Sequence, residues 1–140
     1  MKRLFSTRTS DSAFSFAILL LRVGAGLLML MNHGFDKLAH FSEKAGRFAD
    51  PFGIGSSTSL ALVVFAEFFC AAFIVLGLFT RLACIPLIID LGVAFFTAHR
   101  MNFSGGPGGG ELALLFLIVF TTLLFTGPGR VSLDRFISGK

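Results

Sequence analysis

The chain is predicted to be all-α, an integral membrane four-helix bundle. Three observations lead there. The sequence is 54% hydrophobic and only 14% charged, where an ordinary soluble domain is roughly one quarter charged. Its mean hydropathy is +0.83. Its apolar residues gather into four runs, each near the ~20 residues that a helix needs to cross a bilayer. These runs place helices at about 13–31, 60–79, 82–98 and 111–126, with 32–59 as the connecting segment. Residues 1–140 then form a single membrane domain, with no room for a separate soluble catalytic domain. The net charge of +4 is no nucleic-acid signal, because the basic residues sit mostly at the ends of the apolar runs.

The first helix follows a short polar stretch containing Lys2, Arg3 and Arg8. Arg22 interrupts its apolar run and no clean small-x-small cleavage site follows, so the segment is read as a retained helix rather than a cleaved signal peptide. Arg22, Gly26, Met29, His33 and Lys37 fall on one face at helical spacing and should look into the bundle. Gly24 and Gly26 would admit a close neighbour. In the connecting segment, Pro51, Gly53 and Gly55 break any continued helix, and Ser56–Ser59 are candidate caps for the second helix.

The second helix carries one carboxylate, Glu67, inside the run LALVVFAEFFCAAFIVLGLF. A charge in hydrocarbon costs a few kcal/mol on insertion scales, so such a group is turned inward, paired, protonated or used. Thr80-Arg81 is read as a tight turn into the third helix, where Ala83, Pro86, Asp90, Ala94 and Thr97 make a small and polar face. The loop HRMNFSGGPGGG is glycine-rich, but no Lys-Ser/Thr follows it, so it is not a phosphate loop. Glu111 opens the fourth helix, and Gly127-Pro128-Gly129 stops it. Nineteen Phe and no Trp or Tyr mean that Phe supplies any aromatic belt. Cys70 and Cys84 lie in or next to apolar runs and read as inert buried thiols.

Orientation follows from the basic residues. With the termini cytoplasmic, Lys2, Arg3, Arg8, Arg81, Arg130, Arg135 and Lys140 lie inside, against Lys37, Lys44, Arg47 and Arg100 outside. That excess favours both termini inside.

A rise of ~1.5 Å per residue puts Arg22 and Asp90 at similar depth near the midplane. They are expected to form a buried ion pair, with Glu67 the other partner within reach of Arg22. His33, Glu67, His99 and Glu111 are expected to line a ligand pocket in the outer half of the bundle, with Lys37, Arg100 and Asn102 at its rim. Such a pocket suits a small amphipathic ligand such as a quinone. No E-x-x-H pair and no C-x-x-C-H motif is present, so neither a metal nor haem is expected.

Arg22, His33-Gly34 and Lys37, then Glu67 with Gly77-Leu78-Phe79-Thr80-Arg81, then Gly109-Gly110-Glu111, Thr126-Gly127-Pro128-Gly129 and Ser132-Leu133-Asp134, together resemble the DoxX family. The likeness runs from about Phe16 to Asp134. It implies a small four-helix bacterial inner-membrane protein. It also implies a role beside quinone-linked oxidoreductase complexes, the family taking its name from a subunit associated with quinol oxidation. The residues it carries over are Arg22, His33, Lys37, Glu67, Arg81 and Glu111. Asp90 and His99 come from the residue reading alone. The expected function is a subunit or accessory of such a complex, in contact with the lipid bilayer and with partner subunits. The alternatives are a small-solute carrier using Arg22, Glu67 and Asp90 as a relay, or a non-catalytic scaffold subunit.

Overall fold

Backbone groups in hydrocarbon must be satisfied within the segment that crosses it, which is why apolar runs of this length fold as helices. The computed structural model describes residues 9–139, so Lys2, Arg3, Arg8 and Lys140 of the charge count lie outside it. No strand occurs among the described residues. Helix α1 is Asp11–Ala39, α2 Phe41–Lys44, α3 Ser56–Leu76, α4 Thr80–Ala98, α5 Glu111–Thr126 and α6 Leu133–Ser138. Helices α1, α3 and α4 are long and apolar enough to cross a membrane, and α5 is a shorter apolar helix.

Local chemistry sets the ends. The Ser10 hydroxyl accepts from the Ala13 amide at 3.2 Å, and Asp11 sits in the first turn, where a carboxylate suits the helix dipole. Helix α1 continues past the expected end at Met31 to Ala39. At ~1.5 Å per residue its 29 residues span about 43 Å, longer than the hydrocarbon core.

The serines at 56–59 do not cap α3. Asp50 closes that turn instead, accepting from the amides of Ile54 (3.0 Å) and Gly55 (2.8 Å) and from the Ser59 hydroxyl (2.9 Å). Helix α3 ends at Gly77 with φ +69°, and the Leu78 amide reaches back to the Phe73 carbonyl at 2.9 Å, a Schellman stop. The turn into α4 is thus Gly77–Phe79, and Thr80 and Arg81 already belong to the helix.

Three of the long helices each contain a π-helical turn: Leu30–Gly34 in α1, Phe65–Cys70 in α3 and Ala94–Ala98 in α4. The π turns of α1 and α3 pack on each other. Helix α4 lies along α5, and α1 lies against the last turns of α3. The core between them holds Met29, Ile74, Cys84, Leu87, Phe120 and Leu123. Thr97, Thr121, Thr122 and Thr126 turn their hydroxyls back onto carbonyls one turn earlier, which satisfies them within their own helices.

The close approaches are at Gly26 and Gly34. A methyl group at Gly34 would stand 2.4 Å from the Glu67 carbonyl oxygen, and one at Gly26 would stand 2.7 Å from Val75. Gly24 has open space around it, so it does not serve the packing expected of it. Gly34→Ala should therefore lower stability in detergent by about 1–3 kcal/mol, since the backbone of α3 has to move. Gly24→Ala should be neutral or stabilising by up to about 1 kcal/mol, through helix propensity alone. Thermal unfolding of the two variants checks this. Equal effects would contradict the packing described.

Candidate functional site

The polar residues separate into two centres. One lies at the end of the bundle where α1 begins and the chain returns after α5. The other lies at the opposite end, beneath the 40–55 connection and the glycine-rich loop.

At the terminal end Arg22 is buried, and its guanidinium donates to the carbonyls of Pro128 and Val131, each at 2.8 Å. It does not pair with Asp90 or with Glu67. Side chains on a helix lean toward its N-terminus, so Arg22 reaches down from its Cα rather than across the midplane. There it meets carbonyls that the turn after α5 leaves without helical partners. Asp134 completes this centre: its carboxylate accepts from the amides of Phe79 (2.6 Å) and Thr80 (2.9 Å), and its own amide donates to Gly77 at 2.8 Å. Gly77 needs its positive φ, and a methyl group there would also meet the Arg22 guanidinium at 2.2 Å. Arg130 extends the lock through Asp11 at 2.6 Å. A continuous relay of Arg22, Glu67 and Asp90 is thereby broken.

At the loop end Lys37 donates to Glu67 at 2.5 Å. The Glu67 side chain is only 8% exposed. Asp90 of α4 lines the same cavity as this pair. His33, half-buried, sets its ring edge-on to Phe116 at 5.8 Å. His99 is tied by Nδ1 to the Gly108 carbonyl at 3.1 Å. These five residues share a cavity of about 600 Å³ whose other walls are apolar, from Phe48, Phe52, Phe65, Ile89 and Phe116 among others. Leu62, Phe65 and Ile89 line it and are exposed themselves, as are Phe52, Ile54 and Leu112.

Three of the expected pocket residues, His33, Glu67 and His99, therefore share one cavity. Glu111 does not. It is exposed, and its carboxylate lies over Gly105, where glycine leaves it room. Lys37 is an inner member rather than a rim residue. Arg100 and Asn102 lie outside the cavity: Arg100 is exposed in the loop with φ +48°, and the Asn102 carboxamide accepts from the Ser104 amide at 3.0 Å. Asp90 belongs here and not with Arg22. Of the small face read on the third helix, Pro86, Asp90, Ala94 and Thr97 do line the cavity. Sequence periodicity missed the wall made by Phe48, Phe52 and Ile54, whose only signal was apolar residues among turn formers. Among the described residues no cluster of three or more His, Cys, Asp or Glu is placed to hold a metal.

Fold and site together define a small helical membrane protein with a cavity at the loop end of the bundle. The family model DoxX matches residues 17–100, and the chain belongs to that family. It is 34% identical over 139 residues to the uncharacterised membrane protein Rv3486 of Mycobacterium tuberculosis, covering 89% of this chain and 83% of that protein. It is 30% identical over 124 residues to the inner membrane protein YphA of Escherichia coli, covering 84% of this chain and 88% of that one. An uncharacterised protein of Haemophilus influenzae is 38% identical over 66 residues, 44% of this chain and 49% of its own length. No solved structure matches significantly.

The connection over the cavity is held by Asp50, whose carboxyl lies below the usual carboxylate range chiefly because the Gly55 amide bonds to it. A depressed carboxyl contributes stability that is present above its ordinary pKa of about 4 and is lost as pH falls through the lower folded value. The amides of Ile54 and Gly55 should therefore resist hydrogen exchange at neutral pH and lose protection only below about pH 4. In Asp50→Ala they should exchange freely across the range. Protection in that variant equal to the parent chain would show that Asp50 does not hold the turn.

Proposed function

We propose that the chain is an inner-membrane subunit or accessory of a quinone-linked oxidoreductase complex, and that the cavity binds the quinone. The observation that supports this is the cavity itself. Its volume of about 600 Å³ is in the range of small-molecule sites, roughly 300–1,000 Å³. Its walls are largely apolar, the Lys37–Glu67 pair makes a polar corner, and His33, Asp90 and His99 line it as well. A bound quinone would supply the two-electron carrier. The chain's own residues would take the ring and tail among Phe side chains and present hydrogen-bond donors at the polar corner. Partner subunits supply the electrons.

Ala113 is half-buried on α5 and lines the cavity. Ala113→Phe should fill the space, keep the fold and weaken binding of decylubiquinone at least tenfold, read by calorimetry in detergent micelles. Unchanged affinity would place the ligand elsewhere.

The excess of basic residues favours cytoplasmic termini. Reporter fusions after Ser42 and Ser104 should read external and one after Lys140 internal. The opposite pattern would invert the protein and put the cavity in the inner leaflet.

A further inference from the structure

Helix α6 is fixed at the terminal end of the bundle. The Asp134 carboxylate accepts from the amides of Phe79 (2.6 Å) and Thr80 (2.9 Å) at the start of α4. Just ahead of α6, Arg22 holds the carbonyls of Pro128 and Val131, each at 2.8 Å. The level of α6 is therefore set by the ends of α3, α4 and α5, where the apolar helices give way to turns. In a bilayer that level is the boundary between acyl chains and headgroups.

Helical spacing divides its side chains. Asp134 turns to α4, while Leu133, Phe136 and Ile137, at i, i+3 and i+4, share one face. All three are exposed, Phe136 at 85% and Ile137 at 65%. Val131 before them and Phe125 on the last turn of α5 are exposed as well. Among the described residues nothing covers this face. Cations accompany it. Arg81 is exposed beside the Phe125 carbonyl at 3.3 Å, and Arg135 reaches the Arg130 carbonyl at 3.2 Å. Chain order adds Lys2, Arg3 and Arg8 ahead of α1 and Lys140 after α6. The acidic residues of this end, Asp11 and Asp134, are engaged by Arg130 and by the α4 amides.

An apolar helical face set among basic residues matches anionic headgroups with acyl chains beneath them. A second protein is a poorer match. Even an aromatic side chain buries only about 150–250 Å². Leu133, Phe136 and Ile137 together thus fall short of the ~800 Å² per partner of a standard protein interface.

We propose that α6 lies in the membrane interface, with Leu133, Phe136 and Ile137 at the acyl boundary and Arg81 and Arg135 on the phosphates of anionic phospholipids. The lipids are those of the bilayer that the bundle crosses. This depends neither on the quinone reading nor on which side the termini face.

The chain contains no Trp or Tyr, so Phe136→Trp introduces a sole indole fluorophore at an exposed position. The full chain carrying it is reconstituted in vesicles of phosphatidylcholine with or without phosphatidylglycerol. Lipids brominated near the headgroup end of the acyl chain should quench its emission more than lipids brominated near the methyl end. Ile118→Trp, at the exposed middle of α5, should show the reverse. Strong quenching of Phe136→Trp by aqueous acrylamide, with none from the brominated lipids, would place α6 in water and overturn the proposal. Lipid quenching that vanishes as protein is concentrated in the vesicles would show a second copy on this face, and would overturn it too. At low salt, brominated phosphatidylglycerol should compete for the position roughly two- to fivefold better than brominated phosphatidylcholine, and high salt should reduce that preference. Arg81→Gln combined with Arg135→Gln should remove the preference and leave the depth unchanged. Equal quenching by the two lipids at low salt, a test that needs no charge substitution, would overturn the assignment of the headgroups.

Discussion

The bond between Lys37 and Glu67 is the constraint around which this bundle is arranged. Taking two charges out of water costs several kcal/mol per ion, and their attraction often does no more than offset it. A well-packed apolar pair at the same place would serve stability as well or better. Holding the ion pair also dictates backbone features elsewhere. Helix α1 has to run past the usual length of a span so that Lys37 comes alongside Glu67. The helices have to approach closely just before that point, and Gly34 lies directly on the Glu67 carbonyl where any side chain would collide. The length of α1 and the glycine at 34 are both explained by one polar contact.

The class of fold was legible because hydrocarbon imposes a strong rule on composition and segment length. The site was legible in part. His33, Glu67 and His99 were brought together by counting residues from the helix ends, a count that needs only the rise per residue. The stripe from Arg22 to Lys37 faces inward as read, with Arg22, Gly26 and Met29 buried and His33 and Lys37 on the cavity, although it crosses the π turn at Leu30–Gly34. Pairing across helices fared worse, because of the reach of long side chains. Arg22 sits near the middle of its helix by Cα, yet its guanidinium ends among the carbonyls after α5. Glu111 was misplaced because a first-turn position fixes depth and leaves the direction of the side chain open.

The two centres have different physical characters. At the terminal end, Arg22, Asp134 and Arg130 bind mainly backbone groups and one another's neighbours, tying α1, the α3–α4 turn and the segment after α5 into one unit. Most partners there are groups the fold itself leaves unsatisfied, free carbonyls and helix N-terminal amides, joined by the Arg130–Asp11 bond. At the loop end the charged groups satisfy one another across a cavity, and one side of the set stays open to it.

The π turns connect the cavity to the cost of making it. His33 lies on the first, Phe65, Ala66 and Glu67 on the second, and Ala94, Thr97 and Ala98 on the third, and all of these line the same space. A wide turn weakens the regular hydrogen-bond ladder in a medium where backbone groups have no water to fall back on. Three of them at one level would not be kept for packing, since regular α-turns pack more closely and bond better. They make sense if the widening is itself what the fold provides. The helices bulge where the bundle must stand open, Gly34 keeps α1 against α3 beside that opening, and the Lys37–Glu67 bond holds its polar corner from within.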